Sequence, residues 1–263
     1  SQPQEKGEFI QDPDTLATWF SSGQWPVTTL KTSEPNDFDH FYPTSVMNTA
    51  YEILFLWVAR MVMFGLYLTG KVPFGVALIN GVLRDEKGQK MSKSLGNGVN
   101  PNEAIAKYGA DAVRFALIAG RDSGNDLLIS KSQMEQRIKG YRNFSNKIWN
   151  AARFVSEFKN TSGQATTSIK PELTKTVASI TKYLHQMRLG EAAETTYDKF
   201  WHWYCDMIIE QAKQGQISKE ELQLGLEVFL KLLHPFMPFV TEAVWQELKL
   251  DNQPLIVQHW PSA

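Results

Sequence analysis

VALINGVL, residues 76–83, runs directly into RDEKGQKMSKSLGN, residues 84–97. A near-continuous apolar run with Val and Ile, stopped by a polar stretch, predicts a short strand with both faces covered, as in a parallel sheet. The following segment, 85–100, is rich in Gly, Lys, Ser and Asn and reads as a loop. Pro101 suits a first helical position, and residues 103–108 and 110–119 read as helical on either side of Gly109. Upstream, 42–49 reads as another strand, and 51–69 as a helix stopped by Gly70 and Pro73. Strand, helix, strand and loop make the first half α/β.

Beyond residue 130 the pattern changes. Ile138, Tyr141, Phe144, Ile148, Ala151 or Ala152, Val155 and Phe158 recur every three to four residues, which predicts a long amphipathic helix. A polar stretch at 161–170 reads as a linker. Further helices are expected at about 172–189, 191–213 and 219–234, the last opened by a Ser218/Glu221 capping box. Pro235 and Pro238 break the chain before a short helix at about 240–248. The expected layout is an α/β piece followed by an all-α bundle.

Composition excludes several classes. Apolar residues make up 43% and charged residues 21% of 263 residues, which is a globular mix. The net charge of −1 provides no global field for a polyanion. One cysteine, Cys205, excludes an intrachain disulfide and a Cys-rich zinc site, and no metal centre is expected. Residues 53–68 form the most apolar stretch, but it is short and carries Arg60 in its middle, so a buried core helix is expected and no membrane span. Charge is unevenly placed: residues 1–45 carry a net −5 and residues 131–160 a net +5. The second of these fits a surface that tracks RNA phosphates, although a solvated helix face produces the same pattern.

Within the loop, Lys90 and Lys93 stand three apart with Met91 and Ser92 between them and Ser94 after. Lysine is a compact point charge able to follow a moving phosphate, and hydroxyls add hydrogen bonds. Such a loop suits a clamp on polyphosphate, where fixed cations meet charge developing on leaving pyrophosphate. A solvated lysine loop has the same composition.

KMSKS in this setting is similar to the second signature of the class I aminoacyl-tRNA synthetases, and the surrounding sequence resembles their valyl group. The matching segments are ATWFSSGQWP (17–26), YPTSVMNTAYEILFLWVAR (42–60), NGVLRDEKGQKMSKSLGN (80–97), YGADAVRFAL (108–117), GYRNFSNKIWNAARFV (140–155), FWHWYCDMIIE (200–210) and HPFMPFVTE (234–242). The resemblance implies part of a Rossmann-like catalytic domain over 1–84, the KMSKS loop with a stem-contact region over 85–135, and an anticodon-binding helical bundle over 136–263. It implies an ATP-dependent ligase that activates valine, with Mg²⁺ accompanying ATP, and esterifies a valine-specific tRNA. Location in the cytoplasm and a monomeric state are expected.

By the same resemblance, Lys90 and Lys93 are catalytic. Lys93, Met91, Ser92, Ser94 and Glu52 bind ATP, and Trp19, Ile53 and Trp57 line an apolar valine pocket. Arg137, Lys139, Arg142, Phe144, Lys147 and Arg153 are the tRNA-facing set, with Phe144 fitting a core position equally well. Three positions depart from the family pattern: Ala17 replaces an Asp, Ala50 a Gly and Glu52 an Asp, which bears on ribose recognition. No His-x-Gly-His element and no editing domain are found in the chain, so a segment of a synthetase, inactive by itself, is expected. The alternatives are a stand-alone tRNA-binding or assembly module and a leucyl or isoleucyl synthetase segment.

Overall fold

The structure is a computed structural model that describes residues 7, 10, 13–15, 17–92, 94–121, 124–159 and 167–262. The chain divides into two compact units, Ser1–Asn80 and Gly81–Ala263.

In the first unit three short helices, α1 (Thr18–Gly23), α2 (Trp25–Thr32) and α3 (Asp37–Phe41), precede strand β1 (Thr44–Ala50). A continuous helical stretch follows: a 3-10 turn Tyr51–Ile53, a π turn Leu54–Val58, and α4 (Ala59–Thr69). Gly70, at φ +72°, stops it in the left-handed conformation that glycine adopts without cost, and its N–H bonds Leu66 O at 2.9 Å. Strand β2 (Phe74–Asn80) then pairs parallel with β1, from Thr44 opposite Phe74 to Ala50 opposite Asn80. Gly23 lets α1 close on α4, because a Cβ there would stand 2.8 Å from the Phe64 ring.

Two expectations need correction here. The apolar helix at 51–69 is not a buried core helix: Phe55 is 81% and Tyr67 85% exposed. Nor is the 76–83 run one covered strand. No residue of β2 is fully buried, and the sheet breaks after Asn80. Two strands and three short helices offer too little surface to cover that much apolar side chain. The break itself is steric. A Cβ at Gly81 would lie 1.8 Å from Asn125 O, so the chain passes close by the 125–126 backbone and starts a new pairing.

In the second unit β3 (Leu83–Arg84) pairs parallel with β4 (Leu127–Leu128). Between them lie the loop and helices α5 (Pro101–Tyr108) and α6 (Ala110–Ile118). The Asn100 side chain caps α5, and Gly109 at φ +88° separates the two helices. Helix α7 (Lys131–Glu157), about 40 Å long, opens with a complete Ser130/Gln133 capping box. The bundle continues with α8 (Lys170–His185), α9 (Leu189–Asp198), a π stretch Lys199–Ile208, α10 (Ile209–Lys213), α11 (Lys219–Leu233) and α12 (Pro238–Glu247). Of the linker predicted at 161–170, residues 161–166 lie outside the described residues. The core of the bundle gathers Phe144, Ile148, Phe200, Tyr204, Phe229 and Trp245, with Phe115 of α6 joining them. The Ser218/Glu221 expectation is half met. Ser218 Oγ accepts from Glu221 N at 3.2 Å, but the Glu221 carboxylate turns to Ser168 Oγ and Ile169 N, both at 2.9 Å.

Helix α6 is fixed to the bundle at both ends. Asp111 is buried, and its carboxylate accepts from Phe239 N at 3.2 Å and Val240 N at 2.6 Å. It caps α12, whose own N-cap residue, Met237, contributes no side-chain bond. Arg114 donates to Pro235 O at 3.2 Å and Phe236 O at 3.3 Å. At the other end Arg137 donates to the carbonyls of Ala116 and Ala119, and Gly120 N bonds Gly190 O at 3.1 Å. A Cβ on Gly190 would stand 2.1 Å from Arg121 O.

Gly190→Ala therefore destabilises the second unit by about 2 kcal/mol or more, since backbone must move. Asp111→Ala costs about 1–3 kcal/mol through the buried N–H groups it leaves unpaired. Urea denaturation followed by circular dichroism measures both, and a loss below about 0.5 kcal/mol in either contradicts the clamp.

Candidate functional site

The lysine loop is built by its polar neighbours. Arg84 and Lys90 form an antiparallel bridge, and Met91 N bonds Leu83 O at 2.9 Å, so the chain returns beside β3. Asp85 makes the turn: its Oδ1 accepts from Lys87 N at 3.0 Å and Gln89 N at 2.9 Å. Asn97 then staples the far limb. Its Oδ1 accepts from Ser92 N at 2.9 Å, and its Nδ2 donates to Asp85 Oδ2 at 2.8 Å and Lys90 O at 3.3 Å. The Asn97 bond, followed by the two backbone N–H groups, holds the Asp85 carboxyl below its usual range. Arg84, ion-paired with Asp126, anchors the base and donates to Gly88 O at 3.1 Å. Ser92 Oγ bonds Ser94 Oγ at 3.2 Å and accepts from Leu95 N at 3.3 Å.

Under this loop opens a cavity of about 840 Å³. Lys90, Met91, Ser92 and Asn100 line one side, and Val113, Leu117, Met134 and Ile138 of α6 and α7 make the apolar floor. Lys90 is exposed. Lys93, the other predicted catalytic lysine, lies outside the described residues. Asp85 and Asn97 were missed as loop-forming residues; the Asp-x-x-Gly turn at 85–88 was the available signal.

The remaining residues predicted for ATP and valine lie in the first unit. Trp19 stands half-buried on α1, and Trp57, on the π turn, donates its indole N–H to Ser22 O at 2.9 Å. That bond ties the turn carrying Trp57 to the end of the helix carrying Trp19. Ile53 is half-buried and Glu52 exposed within the 3-10 turn between β1 and that π turn.

The tRNA-facing set divides in two. Lys139, Arg142 and Arg153 are exposed on α7. Arg137 is spent on the end of α6 and lies over the Tyr141 ring at 5.5 Å. Lys147 is paired with Asp206 at 2.9 Å and sits over Trp201 at 5.1 Å. Phe144 is a correction: at 0% exposure it packs against Phe115, Tyr197, Phe200 and Trp201, so its ring has no face to offer a base. Cys205 is buried, and burial pushes its thiol up to about 12, so it is inert at neutral pH.

Residues 2–130 match the family model of class I tRNA synthetases (I, L, M and V), and residues 168–263 match that of the anticodon-binding domain of tRNA ligases. The chain is 44% identical to a valine–tRNA ligase of Pelagibacter ubique, over 97% of this chain and 31% of the relative. It is 42% identical to one of Carboxydothermus hydrogenoformans (95% and 30%) and 41% to one of Geobacillus kaustophilus (98% and 32%). It thus spans about a third of the length of the curated relatives it matches. A solved LeuRS of Agrobacterium radiobacter K84, in a ternary complex with tRNA and LeuAMS, superposes with a TM-score of 0.77 at 20% identity. That likeness covers 99% of this chain and 35% of the other, and it shows the fold. With a catalytic-domain match, an anticodon-domain match and collinear likeness to valine–tRNA ligases, the chain belongs to the class I tRNA synthetases as a segment of the valine–tRNA ligase type.

Proposed function

We propose that this chain supplies, to a valine–tRNA ligase, the loop that handles the ATP phosphates and the bundle that holds tRNA. The reaction joins a valine carboxylate oxygen to the α-phosphorus of Mg²⁺-ATP and expels pyrophosphate. A ribose hydroxyl of the tRNA terminus then attacks the aminoacyl carbonyl and AMP leaves. Valine, ATP and a valine-specific tRNA are the partners in this reading, and the cytoplasm is the compartment.

The observation that carries it is the lysine loop stapled by Asp85 and Asn97 over an open cavity. The loop is closed on itself at its base by Asp85 and Asn97 and is solvent-exposed at Lys90, where an incoming polyphosphate can reach it. Lys90 and Lys93 are assigned to the pyrophosphate, and Met91, Ser92 and Ser94 to the shape of the loop over the nucleotide. Glu52 is assigned to the ribose, and Trp19, Ile53 and Trp57 to the valine side chain. A pocket of that kind selects against one extra methylene by about 1–3 kcal/mol. Lys139, Arg142 and Arg153 are assigned to tRNA phosphates. The division at residues 84 and 135 into catalytic segment, loop with stem-contact region, and bundle is part of the same proposal.

Pyrophosphate binding to the 263-residue chain, measured by titration calorimetry, falls about tenfold or more in Lys90→Ala and in Lys93→Ala, since each removes a charge-assisted contact. Equal affinity in both variants, or none in the parent, contradicts the phosphate assignment. Arg142→Ala weakens tRNA binding and lowers the slope of log affinity against log salt by about 1. An unchanged slope returns Arg142 to the role of a solvated surface residue.

A further inference from the structure

Asn-Gly occurs twice in the sequence, at 80–81 and at 97–98. This dipeptide is chemically labile, because glycine puts no side chain in the way when its backbone nitrogen approaches the asparagine side-chain carbonyl. The structure treats the two pairs differently. Asn80 ends β2, held opposite Ala50 in the parallel ladder, and its side chain bonds that of Asn48. Gly81 is wedged beside the 125–126 backbone, where an added Cβ would lie 1.8 Å from Asn125 O. Neither residue has room to turn the Gly81 nitrogen onto Asn80 Cγ.

Asn97 and Gly98 lie outside every helix and strand, and among the described residues Gly98 N bonds no backbone carbonyl. Nor does the fold need a glycine at 98. Gly96 sits at φ +62°, but Gly98 lies outside that left-handed region, and a Cβ there would make an ordinary contact with Met91 Cβ at 3.4 Å. What restrains Asn97 is its side chain alone. Oδ1 accepts from Ser92 N at 2.9 Å, while Nδ2 donates to Asp85 Oδ2 at 2.8 Å and Lys90 O at 3.3 Å. The same three bonds that close the loop therefore hold the labile amide.

We propose that Asn97 is a self-modification site, converted to aspartate or isoaspartate when its side chain leaves Asp85, and that the product cannot close the loop again. The Gly98 nitrogen loses its proton to hydroxide and bonds Asn97 Cγ; the Cγ–Nδ2 bond breaks and ammonia departs, leaving a succinimide ring. Water then opens the ring at either carbonyl, giving aspartate or its isomer. While Nδ2 is bonded to Asp85 and Lys90 O the amide is not free to turn, so the staple sets the rate. Afterwards the donor is gone. A carboxylate stands where Nδ2 met Asp85, whose own charge is held by Lys87 N and Gln89 N. Two like charges at hydrogen-bond distance repel, and the limb bearing Lys90 and Ser92 is released from the Asp85 turn. This modification stands independently of the phosphate reading above.

The test is peptide mapping of the full 263-residue chain after incubation at mildly alkaline pH, folded and in urea. In urea Asn80 and Asn97 are expected to convert alike; in the folded chain Asn97 converts and Asn80 keeps its amide. Asp85→Ala removes the carboxylate that holds Nδ2 and is expected to speed the conversion of Asn97 by about ten- to a hundredfold, the effect of losing one hydrogen bond to a charged group. Gly98→Ala, which the space at that position accepts, removes most of the conversion. Asn97→Asp starts as the product: with helix content unchanged by circular dichroism, trypsin cuts it after Lys90 about ten- to a hundredfold faster than the parent. Equal conversion of Asn80 and Asn97 in the folded chain, an Asn97 rate that Asp85→Ala leaves unchanged, or an Asn97→Asp chain cut no faster than the parent overturns the proposal. Faster cutting of Asn97→Asp with unchanged pyrophosphate affinity supports the modification and counts against the phosphate reading, so the two failures are told apart.

Discussion

The carboxylate of Asp111 and the two backbone N–H groups it accepts from at the start of α12 organise the second unit. Burial raises the carboxyl's pKa, and those N–H groups, with Arg114 and His234 nearby, draw it back toward the charged form. The cost of desolvating the acid is offset only while α12 stays in place. Arg114 adds bonds to the two carbonyls just before α12, and Arg137 with the Gly120–Gly190 contact fixes the opposite end of α6. A nine-residue helix is thereby held as a strut.

This strut matters because its sides serve different neighbours. Val113 and Leu117 floor the cavity beneath the lysine loop, while Phe115 is fully buried in the bundle core. The same short helix therefore supports the loop and belongs to the bundle. The loop above it is held by polar contacts centred on Asp85 and Asn97, with Met91 and Val99 packed against the floor. A fixed floor under a lysine loop exposed at Lys90 is the arrangement that phosphate handling in the proposed reaction needs.

The sequence made most of this legible. The apolar period at 138–158 gave the buried side of α7, where Ile138, Phe144, Ile148, Ala152 and Val155 are all buried. Gly70, Pro101, Gly109 and Ser218 marked element ends that the structure keeps. Other features were not legible, because they depend on partners far away in sequence. Arg137 and Lys147 read as members of a basic stripe, yet one caps α6 and the other pairs with Asp206. The 51–69 helix read as core because apolar content says nothing about what is present to cover it.

By itself the sequence determined local structure and family: helical period, strand runs, glycine and proline stops, and the lysine loop are properties of neighbours within a few residues. Only the tertiary structure decided which charges are free and which are spent, and which aromatic rings are core and which face outward. Asp111 meets α12 across 129 residues, and Trp149 stands exposed only because the bundle turns the opposite side of α7 inward. The physical reason is that a side chain's chemistry depends on its burial and its partners, and long-range packing sets both.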